Sequence, residues 1–239
     1  MSSDPPTGVL YLVGTPIGNL ADISQRAIDC LTNADLIACE DTRHSGRLLK
    51  AYDIEARKVS LHQHNEASRG AQLIENLLAG ESIAVISDAG MPLVSDPGAR
   101  FLHRCLQAGV ACEVIPGPSA VLAALVGSGL PAEKFFFGGF LPTKKGQRRR
   151  ELETALSMAW SSVFFDSPHR IVGTLEILVE LEPSRRVCVA RELTKKFEEF
   201  RRGTAAEVFE HFSERSIKGE ISLVIAGSKL PKWMLAEPG

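Results

Sequence analysis

The sequence predicts an α/β protein of two lobes, the first with a mostly parallel sheet and the second with a mixed one. Three observations carry this. Short apolar runs alternate with helix-like stretches along the chain, as βα units require. A Gly/Pro break at Gly127–Pro131 falls near the middle. The length of 239 residues is between one and two domains at roughly 150 residues each.

In the first lobe, Gly8–Gly14 (GVLYLVG) is a short apolar run, read as a strand. Residues 22–33 set Ile23, Ala27, Ile28 and Leu31 on one helical face. Asp35–Cys39 reads as a strand, 44–52 as a helix and 58–61 as a strand. Residues 66–79 repeat the helical spacing at Leu73, Ile74, Leu77 and Leu78. Ser82–Ser87 is a buried strand; a helix over 97–108, a strand at Val110–Ile115 and a helix over 119–126 follow. The expected domains are 1–126 and 127–239. In the second, Phe135–Leu141 is a strand, 147–158 a helix and Ser162–Phe165 a strand. Pro168, suited to a first helical turn, opens a helix reaching Leu181. Arg186–Leu193 and Phe197–Arg202 form a hairpin. Thr204 caps a helix to Phe212 with Glu207 as its capping-box partner. Glu220–Ala226 closes the lobe.

With 44% apolar and 23% charged residues and a net charge of −2, the chain is globular, not disordered. No apolar run approaches the ~18 residues of a membrane span. Met1–Pro6 has neither the basic start nor the apolar stretch of a secretory signal, so a cytoplasmic location is expected. Five cysteines without a C-x-x-C pair are expected as free thiols. The one close histidine pair, His62 and His64, has no cysteine beside it, and no metal is expected. Charge is unevenly spread. Residues 1–120 carry 9 Lys+Arg against 14 Asp+Glu, and residues 121–239 carry 18 against 15. The run Lys144, Lys145, Arg148, Arg149, Arg150 concentrates the excess and suits a polyanionic partner.

Ligands of open α/β sheets bind outside the carboxyl ends of the strands. Three loops stand there. Gly14–Asn19 follows the first strand, but no phosphate fingerprint is present, which disfavours a nucleotide or dinucleotide enzyme. Ser87–Gly98 is far longer than the ~4–6 residues a connection needs. Its Asp88 is placed to accept hydrogen bonds from an amine or hydroxyl, or to cap its own loop, while Asp96 reads as a helix N-cap. Pro116–Ala120 offers Ser119 and adjacent amides at a helix start, with simple capping an equal alternative.

Taken together, GTPIGN (14–19), CEDTR (39–43), HQHNE (62–66), ISDAGMPLVSDPG (86–98), IPGPSA (115–120), GGFLP (138–142), SPHR (167–170), RELTK (191–195) and KGEISLVI (218–225) resemble the ribosomal small-subunit methyltransferase I family of the tetrapyrrole-methylase superfamily. The resemblance spans nearly the whole chain. It implies a two-domain methyltransferase that binds S-adenosylmethionine between its lobes, works as a homodimer and methylates the ribose 2′-oxygen of a decoding-site cytidine in 16S rRNA. This chain has Asp166 where relatives often carry Glu, and it stops soon after its last strand where they often continue.

From loop position and resemblance, Pro16, Asp88, Gly90, Met91, Ser119 and Ala120 are expected to hold the donor, with Asp166, Leu193, Glu220 and Ile221 from the second lobe. Methyl transfer from a sulfonium needs an aligned acceptor and exclusion of water more than covalent help. Glu40, Asp41 and Arg43 offer a carboxylate base beside a guanidinium for the weakly acidic hydroxyl; the alternative is a helix cap and a structural ion pair. Lys144, Lys145, Arg148, Arg149 and Arg150, in a flexible run, with His169 and Arg170, are expected to contact RNA. His62 and His64 are further possible substrate contacts. Two other functions compete: methylation of a tetrapyrrole, and a non-catalytic RNA-binding module of ribosome assembly.

Overall fold

The computed structural model describes residues 8–231 and 234; Met1–Pro6, on which the leader expectation rests, lies outside them. The chain forms two compact units that divide between Ser119 and Ala120. The first is built on β1 (Val9–Val13), β2 (Leu36–Cys39), β3 (Lys58–Ser60), β4 (Ile83–Ile86) and β5 (Ala111–Ile115). These pair in the order β3-β2-β4-β1-β5, every pair parallel. The connecting helices are α1 (Gln25–Asn33), α2 (Thr42–Ala51), α3 (Glu66–Leu78) and α4 (Ala99–Gln107).

Side chains alternate across the pleat, and each face of the sheet has its own helices. Leu10, Leu12, Ile83 and Val85 pack with Leu73 and Leu77 of α3 and Phe101 and Cys105 of α4. Val13, Ile37, Ala84 and Ile86 pack with Ala27 and Leu31 of α1 and Leu49 of α2. Each fully buried leucine or phenylalanine contributes about 1.5–3 kcal/mol. Strand β4 therefore stands between β1 and β2, whose following helices cover the face opposite to α4. Neighbouring strands that connect to opposite faces open a crevice at their carboxyl ends.

Caps move several helix starts. The Ser24 hydroxyl accepts from the Ala27 amide at 3.1 Å, so α1 begins at Gln25, after a short 3-10 turn at Leu20–Asp22. Helix α4 begins at Ala99 because Gly98, at φ +113°, occupies the N-cap; Asp96 is therefore not the cap expected of it. The orphan amide of Phe101 in the first turn instead binds the buried carboxylate of Glu66 at 2.9 Å.

The second unit contains α5 (Ala120–Ser128), β6 (Phe135–Phe140), α6 (Lys145–Ser157), β7 (Ser161–Asp166), α7 (Ile171–Leu181), β8 (Arg186–Arg191), β9 (Glu199–Thr204), α8 (Ala205–Ser213) and β10 (Ile221–Ile225). Its sheet runs β6-β7-β10-β8-β9. Only the β6–β7 pair is parallel. Helices α6, α7 and α8 supply Leu152, Leu175, Leu178, Val208 and Phe212 to the core on one face. Helix α5 packs on β8 and β10. The chain thus divides before α5 rather than at Gly127–Pro131, because this nearly all-apolar helix needs the second sheet to bury Val121, Ala124 and Leu125.

The Thr204–Glu207 capping box is present. Helix α7 starts at Ile171, after Pro168. The basic run is not a flexible loop: residues 145–150 form the first turns of α6, as good helix formers do. All five cysteines are free, with Cys39, Cys105 and Cys188 buried. Among the described residues, no helix is long and apolar enough to cross a membrane.

Candidate active site

The loops after β1, β4 and β5 meet at the carboxyl edge of the first sheet. Thr15 and Gly90 exchange backbone hydrogen bonds of 2.9 and 3.1 Å, an isolated bridge tying the first two. The Ser87 hydroxyl donates to the Gly90 carbonyl at 3.3 Å. Gly14 and Gly117 pack so closely that a Cβ on Gly14 would stand 2.7 Å from the backbone of Gly117. Pro16, two residues past Gly14, is buried, and Asp88, two residues past the end of β4, is exposed. The 87–98 loop also holds Leu93 at φ +70° and Ser95 at φ +66°. Left-handed backbone at such residues costs about 1–3 kcal/mol each and concentrates at functional sites.

At the carboxyl ends of the paired strands β2 and β4 lies a cavity of about 10 Å³, lined by Glu40, Leu61, Ser87, Pro92, Asp96 and Pro97 among others. That is room for about one water. Burial and the neighbouring Glu40 carboxylate push the Asp96 carboxyl up to about 6; a hydrogen bond with Ser87 opposes the rise and Asp88 adds to it. Asp96 therefore lines this cavity instead of taking the helix cap expected of it. The signal was Gly98, which takes the N-cap position and leaves Asp96 two residues too early.

The expected catalytic trio separates into different duties. Asp41 is the N-cap of α2, its carboxylate accepting from the amides of Arg43 at 2.8 Å and His44 at 3.4 Å. These bonds hold its carboxyl below the ordinary aspartate value. Arg43 Nε lies 3.5 Å from Asp41 and its side chain is 91% exposed. Glu40 is exposed at the cavity. His62 and His64 meet edge to face at 5.9 Å, and His62 Nδ1 is buried without a hydrogen-bond partner.

Of the expected donor residues, Pro16, Asp88, Gly90, Met91 and Ser119 belong to these first-unit loops, with Ser119 ending the unit and Ala120 opening α5. The second-unit residues carry duties inside their own unit. Asp166 accepts from Thr174 Oγ1 at 2.7 Å and the Ser167 amide at 2.7 Å, and lies 3.3 Å from Arg170 Nε. Glu220 pairs with Lys195 at 3.0 Å. Ile221 and Leu193 are buried.

The basic run divides in the same way. Arg148 is buried, donating to the carbonyls of Pro142 and Thr143 at 3.1 Å each. It fixes the turn after β6 and cannot meet RNA as expected. Arg149 is held by Glu153 and Glu180. Lys145 lies 3.6 Å from Glu176. Lys144, Arg150 and His169 are exposed.

The first unit is a parallel sheet with three loops gathered at its carboxyl edge and the second a mixed sheet, and comparison with known proteins assigns this architecture to a class of methylases. The family described as Tetrapyrrole (Corrin/Porphyrin) Methylases matches residues 9–208. Uroporphyrin-III-C-methyltransferase from Thermus thermophilus superposes with a TM-score of 0.65 at 22% identity, covering 97% of this chain and 100% of that one. A cobalt precorrin-4 methyltransferase gives 0.67 at 15% identity, covering 96% of each chain. At these identities the likeness is one of fold.

Sequence narrows the class. Proteins named ribosomal RNA small subunit methyltransferase I from Mesorhizobium japonicum and Halalkalibacterium halodurans are 48% and 47% identical, each covering 92% of this chain and 76% of the relative. That from Bacillus subtilis is 46% identical over the same shares. The chain belongs to the ribosomal RNA small subunit methyltransferase I family.

Proposed function

We propose that the protein uses S-adenosylmethionine to methylate small-subunit ribosomal RNA, and that the acceptor is the ribose 2′-oxygen of a decoding-site cytidine in 16S rRNA. The observation carrying this reading is the junction of the β1, β4 and β5 loops at the carboxyl edge of the first sheet, in a chain 46–48% identical to rRNA methyltransferases. When bound, S-adenosylmethionine supplies an electrophilic methyl group.

The residues fit such a donor. The Gly14–Gly117 contact leaves no room for side chains there, so the loops approach backbone to backbone. Buried Pro16 gives an apolar floor, and exposed Asp88 offers a carboxylate to hydroxyl or ammonium groups. Gly90 and Met91 present the backbone of the long loop, and Ser119 the end of the third. Asp166, Glu220, Ile221 and Leu193 act through the packing of their own unit.

The acceptor hydroxyl must lose a proton as the new C–O bond forms. Asp41, held acidic by its capping role, is a poor base. Asp96, with its carboxyl pushed up to about 6, is charged at neutral pH and better matched to take a proton. The exposed Arg43 guanidinium is available to stabilise oxyanion character. Lys144 and Arg150 contact phosphate and set register. The same reading carries a cytoplasmic location and a homodimer.

Small ribosomal subunits stripped of this modification, incubated with protein and isotopically labelled donor, should gain label in a 2′-O-methylcytidine on mass-spectrometric mapping. Label reaching uroporphyrinogen but not the subunits would overturn the reading in favour of a tetrapyrrole substrate. Failure to bind donor at millimolar concentration would favour an assembly module.

A further inference from the structure

The edge strand β6 contains an irregularity whose effect is chemical. Its pairing with β7 runs in step from Phe135↔Ser161 to Phe137↔Val163, then shifts so that Phe140 pairs with Phe165. In a regular strand, residues four apart share a face. Phe136 points to the core, where it meets Phe164 at 6.2 Å between ring centroids. Phe140 would follow it inward. The extra residue in the Gly138–Gly139 stretch instead turns Phe140 to the opposite face. There its ring lies 5.2 Å from Phe165, which also meets Phe137 at 5.1 Å.

The bulge is built in. A Cβ on Gly138 would fall 2.2 Å from the Phe164 ring, and Gly139 sits at φ +68°. The result is a phenylalanine 62% exposed at the end of its strand. Phe165 supports it from behind, so the ring is held and not merely left in water. The turns after β6 and after β7, which leave from the same end of this parallel pair, carry exposed Lys144 and His169. Arg148 pins the first of these turns by its carbonyls. A fixed, accessible aromatic face at the carboxyl end of a parallel strand pair, with a lysine in the turn that follows, matches an unstacked nucleotide: ring for base, ammonium for phosphate.

We infer that Phe140 is a stacking platform for a nucleobase of the substrate RNA, a contact that selects single-stranded over paired RNA. This rests on the proposed RNA substrate.

The test compares Phe140→Ala, Phe140→Leu and Phe140→Trp with the unaltered protein. Two readouts are used: KM for stripped small subunits, and the dissociation constant for a short labelled single-stranded RNA by anisotropy. Loss of one base–aromatic stack should raise both constants for the Ala and Leu variants by about 5- to 100-fold. Donor affinity by calorimetry should stay unchanged, and Trp should restore RNA binding. Leu binding RNA as well as Phe would reduce the residue to an apolar filler and overturn the inference. So would unchanged constants in the Ala variant. A fall in oligomer mass by light scattering that accounts for the weaker binding would make the ring a contact between copies, which also overturns it. If the unaltered protein leaves subunits unmethylated, the proposed reaction fails, while the anisotropy series still decides the stacking contact.

Discussion

Gly14 and Gly117 meet backbone against backbone, so a Cβ on Gly117 would stand 2.8 Å from the Cα of Gly14. Neither backbone can yield without moving the end of a strand, β1 or β5. Gly14→Ala should therefore cost about 1–3 kcal/mol of stability, the usual penalty for overpacking, and weaken donor binding by displacing the loop that carries Pro16. Urea unfolding and calorimetric titration with S-adenosylmethionine check both. Unaltered values in each would show that the junction tolerates separation and does not shape the site.

Thr174 decides the standing of Asp166. Its hydroxyl donates to a carboxylate whose side chain is 0% exposed. Thr174→Val keeps the shape and removes the donor, leaving a buried charge short of a partner at about 1–3 kcal/mol. The expected result is lower denaturant stability with donor affinity retained. A large loss of donor affinity at unchanged stability would return Asp166 to the donor-binding set.

Asp96 gives the protein a pH signature. Its carboxyl is raised in the folded state to about 6, so its protonated form is favoured by folding. The stability it adds is complete below the ordinary aspartate value and is lost as pH rises through about 6. Asp96→Asn should retain that stability at neutral pH. A shift of this size is worth at most about 3 kcal/mol, and solvent screening in a partly open cavity reduces it to about 1 kcal/mol. The variant should be more stable than the parent at pH 8 and equal to it below pH 4. Its methylation rate should lose the acid limb of the pH profile; an unchanged limb would remove Asp96 as proton acceptor.

Arg148 and its neighbours should separate by experiment. Arg148→Ala should lower the melting temperature, because the carbonyls of Pro142 and Thr143 lose their donor. The double reversal Lys144→Glu with Arg150→Glu should leave melting within a degree or two of the parent. It should lower RNA affinity and flatten its dependence on salt, since fewer counterions are released. An unchanged salt slope would deny these two groups a phosphate contact.

Much of this architecture was legible in the sequence because its signals are local. Alternating apolar runs set the strands of both sheets, and Thr204 with Glu207 announced α8. The misreadings have a common physical source, which is that partners arrive from elsewhere in the chain. The start of α4 depends on Gly98 and on Glu66, thirty-five positions before the Phe101 amide it accepts. The site of division depends on what α5 packs against. Arg148 reads as one more surface cation until the carbonyls of the preceding turn come round to meet it. At the candidate site, the long loop after β4 was readable from its length; of the two readings left open for Asp41 the cap is the one present, while Asp96 does not take the cap expected of it. Carboxylates announce themselves in a sequence; which of them an amide will occupy does not.

Glu66 reaches from the beginning of α3 to the first turn of α4 and accepts the Phe101 amide at 2.9 Å. Two stretches that look independent, HQHNE and the first turn of α4, are therefore tied by one hydrogen bond. A chimera between relatives that shifts the start of α4 while keeping Glu66 risks stranding that carboxylate in the interior without its amide. Crossovers placed outside the pair should survive more often than crossovers between them.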